Sequence, residues 1–395
     1  MKNLWTDEEA QKYKSDLELR VFTSNLLGRS DELVLHGGGN TSVKSKVDAE
    51  NILYVKGSGW DLVSIEKEGF APVKLDTLIE MAKLESLSDS DMVSQQKAAM
   101  IDKSAPNPSV EAILHAIIPF KFVDHTHADA VVTISNNKNG IENIKKVFPN
   151  FLIIPYVMPG FILARTIYEM AKDYDWSKSD GIILHNHGIF TFDDDAKKSY
   201  DKMIAAVSLA EKFLEDNAKV EIPNLQAKGF DLDELKTIIS KEKGYEVVLK
   251  VNHNKEAIYY ASQSNLKDSV TKGVLTPEHI IRTKKIPLVL ENSDIQNAVD
   301  EYKKEYKAYF DRYAKDEICL NPAPNYAVIK EFGIVCFGKD EKEASIINDI
   351  VCHTISAVLK AEKLGGFVSI SEKDSFEMEY WELEQAKLAK SAITK

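Results

Sequence analysis

Short apolar runs that alternate with stretches of helical periodicity predict an α/β protein of α+β-like character. Two further observations shape that expectation. Glycine-rich turns separate several of the apolar runs, so many strands should be hairpin partners, giving a central mixed, largely antiparallel sheet with flanking helices. A polar crossover, "EIPNLQAKGF", is punctuated by Pro223 and Gly229 and divides the 395 residues near residue 230. The expected organisation is therefore an N-terminal domain over 1–230 and a C-terminal α/β companion unit over 231–395.

The elements follow in order. Glu8 to Leu27 has the periodicity of one helix. "ELVLHGGGNTSV" reads as strand, glycine turn, strand, and "NILYVKGSGWDLV" repeats that form. A helix from Leu75 to Leu87 precedes a polar stretch ending in "SAPNPS", where the prolines break structure and Ser109 is placed to cap a helix beginning "VEAILHAII". The strand "FKFVDHTH" comes next. Past "FPNFLIIPYVM" the pattern predicts a helix from Phe161 to Tyr174, the strand "GIILHNHGIFTF" and a long helix from Asp195 to about Asn217. In the companion unit, "ENSDIQNAVDEYKKEYKAYFDRYA" has the periodicity of a long helix, with Ile295, Val299, Tyr302 and Tyr306 on one face. That face is expected to pack on the N-terminal domain or on a second subunit. "HGIFTFDDDAKKS" at His187 is echoed by "FGIVCFGKDEKEAS" at Phe332, each leading into a long helix, so the companion unit is a candidate degenerate repeat of the first. Phe332 stands in the place of His187, which removes that position as a ligand in the second copy.

Composition excludes several function classes. A net charge of −12 and a sequence pI near 5.4 leave no basic footprint for nucleic acid or an anionic membrane. The N-terminus is polar and charged where a signal peptide needs an apolar core, and no run approaches the roughly 20 apolar residues of a membrane span. The expectation is a cytoplasmic protein. Cys319, Cys336 and Cys352 are odd in number and widely spaced, unlike a disulfide framework or a zinc ribbon.

The chemistry is carried by histidines. On a strand, residues i and i+2 share a face, so His125 and His127 of "DHTH" can aim two imidazole nitrogens at one point about 2 Å from each. "HNHG", His185 to Gly188, ends another apolar run, and a third ligand from it would complete a facial set with open positions. Glu111 reads locally as a first-turn helix acid, or as a general acid/base beside the metal. "HGGGNTS" and "KGSG" let the backbone approach an anion closely, with Asn40, Thr41, Ser42, Ser58 and Gly59 as neutral donors and Lys56 as a candidate cation. Neither stretch fits a Walker A loop or a dinucleotide fingerprint.

In chain order, "GGGNTSVK", "VKGSG", "PSVEAILHA", "HTHADA" and "HNHG" resemble the class II aldolase/adducin family. The likeness to the aldolase part of bifunctional rhamnulose-phosphate aldolase/dehydrogenase proteins extends through "GVLTPEHIIRTK" and "EMEYWELEQAKLAK". The resemblance implies the class II aldolase fold and a Zn2+ ion, or Mn2+, Co2+ or Fe2+, on His125, His127 and His187, with Glu111 as the acid/base. It implies phosphate binding by Gly39, Asn40, Thr41, Ser58, Gly59 and Ser109. His185 is left as a substrate or outer contact. The implied activity is cleavage of a ketose, as a ketose 1-phosphate, through a metal-stabilised enediolate. Decarboxylation, dehydration or epimerisation of a sugar acid or sugar phosphate uses the same site, and an adducin-like binding protein would use only the fold. Ser109-Val110-Glu111 replaces the Ser-Ser-Glu of fuculose-phosphate aldolase-like members, so one phosphate donor is absent. The partners implied are a small sugar or sugar phosphate, further copies of the chain in a homo-oligomer, and a separate dehydrogenase acting on the product, since no glycine fingerprint for hydride transfer occurs in the sequence.

Overall fold

The computed structural model describes residues 1–383 and 385, which form two compact units: Met1–Ser135 with Gly140–Glu215, and Asn136–Asn139 with the chain from Asp216 onward. The end of the "EMEYWELEQAKLAK" stretch, beyond residue 385, lies outside the described residues.

The first unit is built on seven strands: β1 (Asn40–Val47), β2 (Glu50–Lys56), β3 (Phe70–Lys74), β4 (Phe122–Thr126), β5 (Phe151–Ile154), β6 (Gly181–Leu184) and β7 (Gly188–Asp193). They run in the order β3-β2-β1-β4-β7-β6-β5, with β5 and β6 parallel and every other neighbouring pair antiparallel. This is the mixed, largely antiparallel sheet expected from the hairpin-like strands. The helices Asp16–Gly28, Ala112–Ile117 and Ala196–Asn217 supply the side chains that meet its central strands.

Several elements differ from their sequence expectations for local reasons. The helix expected over Glu8–Leu27 is two, Asp7–Ala10 and Asp16–Gly28, because Ser15 and Glu18 form a capping box that starts a new helix. "ELVLH" is not a strand; it packs through turns, and only the second half of that pattern pairs, as β1. "GSGWDLV" likewise turns into a short 3-10 segment, and β2 pairs instead with β3, which the sequence reading missed. The helix from Leu75 stops at Ala82, and the polar stretch after it forms the helix Asp89–Ala98, capped by Ser88. "GIILHNHGIFTF" is two antiparallel strands around a tight turn at residues 185–187.

Among the described residues the second unit has four strands, β8 (Val248–Asn252), β9 (Leu288–Leu290), β10 (Tyr326–Ile329) and β11 (Gly333–Gly338), in the order β8-β11-β10-β9. Only β9 and β10 run parallel. Order and strand senses reproduce those of β4-β7-β6-β5. The helix Ile295–Tyr313 forms as expected, and its apolar stripe is buried within its own unit: Ile295, Val299 and Tyr302 join the sheet core, while Tyr306, Tyr309 and Phe310 pack with Phe376. This corrects the expectation that the stripe covers the first domain or another subunit. The helix Glu341–Lys363 is long and apolar enough to cross a bilayer by length and composition, yet Ile347, Ile350, Val351 and Ile355 on it are buried core residues.

One buried ion pair anchors the central strand of the first unit. Asp124 and Arg20 have fully buried side chains and are bonded to each other; Arg20 also reaches Thr23 and the carbonyls of Ser42 and Val123, and Ser199 donates to the second oxygen of Asp124. Removing one member leaves the other charge buried without its counter-ion, a cost of about 3–5 kcal/mol, whereas replacing both by apolar groups costs far less. Arg20→Met and Asp124→Leu should each lower unfolding free energy by about that amount, and the double variant by less than either alone. Denaturant titration checks this, and additive losses in the double variant would show that the pair does not act as a unit.

Candidate active site and metal centre

Strand register brings the scattered motifs together. β1 pairs with β4 so that Asn40 lies opposite His125. The glycine turn before β1 therefore ends beside the histidine strand. Gly39 has φ of 64°, and a Cβ there would lie 2.7 Å from the His125 carbonyl and 2.6 Å from Val34, so only glycine fits.

β7 delivers the third histidine. The turn between β6 and β7 holds Asn186 at φ of 60°, and a Cβ on Gly188 would come within 2.4 Å of the Thr126 carbonyl. This close approach carries His187 over the end of β4. His127 lies one residue past that end, yet still reaches the same point. The ligand atoms of His125, His127 and His187 all lie within 4.8 Å of one another. His125 donates from Nδ1 to the Ile189 carbonyl at 3.0 Å, which leaves its Nε2 lone pair facing His127 Nε2, 3.0 Å away. Phe190 stacks on the His125 ring at 4.1 Å and holds its plane.

Glu111 is buried and sits just before the helix Ala112–Ile117, at φ −91° and ψ 8°. Its side chain does not cap that helix, and Ser109, expected to cap the helix itself, instead accepts from the Glu111 N–H through Oγ at 3.2 Å. The carboxylate turns to the histidines, with Oε2 3.5 Å from His125 Nε2 and Oε1 3.8 Å from His187 Nε2. Oε1 is buried and accepts no hydrogen bond, while Oε2 accepts from Asn40 Nδ2 at 2.6 Å. Three convergent imidazoles beside a carboxylate oxygen with coordination capacity to spare fit a divalent ion of the zinc type.

Behind Glu111 lies His115, fully buried, bonded through Nε2 to Asn40 Oδ1 and through Nδ1 to Ser42 Oγ at 2.8 Å. Burial, with His125, Lys44 and Arg20 nearby, pushes its pKa well below the usual histidine range. It is neutral at physiological pH. Lys44 donates to the carbonyls of His115, Ile118 and Phe120, closing the end of that helix, so it faces the protein and not solvent.

The remaining expected residues divide. "KGSG" is stitched to the "PNPS" loop by a bridge between Gly57 and Pro108, by Ser58 N–H on the Asn107 carbonyl and by Ser109 N–H on the Lys56 carbonyl. Ser58, Gly59 and Ser109 therefore share one rim, where Ser58 and Gly59 are exposed. Lys56 is turned inward, 5% exposed, with Nζ donating to the Gly37 carbonyl at 3.2 Å. Asn40 gives its amide N–H groups to Glu111 and Ser109. Thr41 lies on the opposite face of β1 with its hydroxyl bonded to Ser24 at 2.8 Å, so its side chain does not join the rim. His185 stands outside the triad, its Nε2 near Gly140, with burial lowering its pKa. Sequence reasoning missed the Ser42–His115–Asn40 connection and the Arg20–Asp124 pair; an acid inside the apolar run "FVDHT" was the available signal, since a buried carboxylate requires a partner.

Two family profiles match the chain: "Class II Aldolase and Adducin N-terminal domain" over residues 21–214 and "Aldolase class II, second domain" over residues 230–388. A solved N-terminal class II aldolase domain of a conserved Thermoplasma acidophilum protein is 40% identical; the match covers 54% of this chain and 99% of that one, with a TM-score of 0.50. An uncharacterized oxidoreductase of Bacillus subtilis, YuxG, is 29% identical over 419 residues, covering 98% of this chain. This chain spans 60% of that relative's length. With two family profiles matching residues 21–214 and 230–388 and a 40% identical solved domain covered almost whole, the chain belongs to the class II aldolase and adducin family.

Proposed function

We propose that this chain is a divalent-metal-dependent aldolase that cleaves a ketose, preferentially a ketose 1-phosphate. The observation that carries the reading is the Glu111 carboxylate held 3.5 Å from His125 Nε2 and 3.8 Å from His187 Nε2, with Oε1 accepting no hydrogen bond. His125, His127 and His187 would hold the ion, which supplies a Lewis acid for a substrate carbonyl oxygen. Glu111 moves the proton at carbon: in cleavage, the hydroxyl of the leaving fragment gives its proton to solvent and becomes the aldehyde carbonyl, the carbon–carbon bond breaks with its electrons staying on the ketone fragment, and Glu111 delivers a proton to that carbon; in synthesis both proton transfers run in reverse. The Ser58, Gly59 and Ser109 rim, with the inward Lys56, supports binding of a phosphate or carboxylate group there. The intact ligand set and the placed acid/base favour catalysis over an adducin-like binding role. A dehydrogenase acting on the aldehyde product is the proposed partner, in keeping with the longer Bacillus relative's name.

The same reading gives one ion per chain, because the second unit is a degenerate repeat of β4 to β7. Support comes from matching ladders. Thr126 pairs with Ile189 and His125 with Phe190, as Asn252 pairs with Ile334 and Val251 with Val335. Asn186 at φ 60° matches Glu331 at φ 56°, and the His185 N–H on the Ile154 carbonyl matches the Lys330 N–H on the Leu290 carbonyl. On this alignment Val251, His253 and Phe332 stand where His125, His127 and His187 stand, leaving one imidazole of three.

Metal analysis of protein purified without added zinc should find close to one divalent ion per chain. His127→Ala should lose most of it, and a Val251→His/Phe332→His variant that keeps its circular dichroism should bind a second. Full occupancy in His127→Ala would overturn the site.

A panel of ketose 1-phosphates, free ketoses and sugar acids, with products read by NMR, tests the reaction. The expected product pair is a ketone phosphate and an aldehyde. Glu111→Gln should keep its metal and lose about 10²–10⁴-fold in turnover. Release of carbon dioxide, loss of water or an epimer as sole product would replace the aldolase reading with the corresponding alternative.

A further inference from the structure

We propose that His115 and Ser42 are positioning residues for Glu111, acting through the Asn40 side chain; this rests on Glu111 moving the proton in the reaction above. The hydrogen bonds allow only one polarity. In the ionised form of Glu111, the one that takes a proton from carbon, the carboxylate only accepts, so in the 2.6 Å contact to Oε2 the Asn40 amide nitrogen donates. That fixes the amide: Oδ1 points the other way, where it meets His115 Nε2. An amide oxygen also only accepts, so Nε2 carries the imidazole proton. The ring is neutral, so Nδ1 offers a lone pair, which takes the Ser42 hydroxyl hydrogen at 2.8 Å. Turning the amide over would set Oδ1 against the carboxylate and the amide hydrogens against the Nε2 hydrogen. Two repulsions oppose the flip: one between Oδ1 and the carboxylate, and one between the amide hydrogens and the hydrogen on Nε2, a tautomer that leaves the Nδ1 lone pair to the Ser42 hydroxyl.

The geometry has a local origin. His115 lies one helical turn after Glu111, with its N–H on the Glu111 carbonyl at 3.0 Å, and Ser42 lies two residues after Asn40 on the same face of β1. One helix end and one strand thus cross-brace the carboxylate, and the Asn40 donors are spent on Glu111 and Ser109. The side-chain hydrogen bonds of His115 go to Asn40 and Ser42, so its bonded route to the Glu111 carboxylate runs through Asn40; its ring also meets Phe190, which stacks on His125, and the metal readout below separates that packing contact from the hydrogen-bonded one.

The test uses the metal-loaded full chain and the ketose cleaved in the panel. Long-range proton–nitrogen NMR of imidazole-labelled enzyme should report His115 as the Nε2–H tautomer. An Nδ1–H tautomer or an imidazolium would overturn the proposal. His115→Leu should lower kcat about 10- to 100-fold, the size of one charge-assisted hydrogen bond, with KM changed less than about 3-fold and metal content unchanged. His115→Gln, which keeps an N–H near the Nε2 position, should recover most of that loss, and Ser42→Ala should cost about 3-fold. Equal impairment of the Leu and Gln variants would mean a packing role and overturn the proposal. Should His115→Leu fail to fold, Asn40→Asp replaces the donor by an acceptor; it should lose at least 10-fold in kcat with its metal retained, and wild-type kcat there would overturn the proposal. An inactive Glu111→Gln beside a fully active His115→Leu sinks this inference alone. An active Glu111→Gln, or a panel with no cleaved ketose, sinks the catalytic reading and this inference with it.

Discussion

The two-residue period of β4 is the constraint on which the site depends. Alternate side chains of a strand face opposite ways, so Phe122, Asp124 and Thr126 address one face of the sheet and Val123 and His125 the other. Asp124 is held by Arg20 from the helix Asp16–Gly28 and by Ser199 from the helix Ala196–Asn217, and Thr126 Oγ1 contacts Met203 at 3.3 Å on that second helix. A slip of one residue would bury His125 where Asp124 now sits and strand a carboxylate among the ligands. The ion pair therefore does more than pack two helices on a sheet: it fixes which face carries the imidazole. The same alternation, read across the ladder into β1, sends Asn40 and Ser42 to the face that carries His125 and Thr41 to Ser24.

The readable part of the site was the part made of local spacing. His125 and His127 share a strand end, Glu111 precedes a helix by a fixed offset, and the glycine turns announce close backbone approaches; each is a short-range pattern, and the structure brings all of them to one place. The sheet class followed from the hairpin-like strands for the same reason. Less readable were features set by partners distant in sequence. Nothing within "LELRVFTSN" says that Arg20 meets an acid 104 residues later. β3 is hard to read because "FAPVK" carries a proline, which its edge position in the sheet tolerates. Thr41 was expected among the phosphate donors because it follows Asn40 in the motif, but adjacency in a strand means opposite faces.

On the proposed repeat alignment, the second unit shares strand order and senses with β4 to β7 without sharing the three histidines. On the proposed alignment its four strands keep the order, the senses and even the left-handed residue of the β6–β7 turn, Glu331 in place of Asn186. Backbone geometry is selected by the sheet as a whole, since one altered turn would shift every pair in the ladder. The ligand positions carry no such burden. Val251 and Phe332 fill their places with apolar volume, and Phe332 packs with Phe230 in the core of that unit while His253 meets its ring edge-on at 4.3 Å.

Stability and reactivity pull against each other at Glu111. Its Oε1 is buried and accepts no hydrogen bond, an arrangement that costs about 1–3 kcal/mol relative to a satisfied oxygen, and three imidazoles crowd within 4.8 Å beside it. Such a cluster persists only when its surroundings over-determine it. Here two members are braced from behind, His125 by the Ile189 carbonyl and Phe190 and Glu111 by Asn40, which is itself held by His115. Apart from the Phe190 ring, those braces are hydrogen bonds made within the protein, from the backbone at Ile189 and from the linked side chains of Asn40, His115 and Ser42. A ligand that binds only the folded form adds RT ln(1 + [L]/Kd) to stability. For this site the same ion that supplies the Lewis acid would relieve the crowding of nitrogen lone pairs, so loading with metal should raise the folding free energy as well as enable turnover. In the proposed reading, the energetic cost of building the site is carried by Asn40, His115 and the Arg20–Asp124 pair without the ion, and would be shared with the ion on binding.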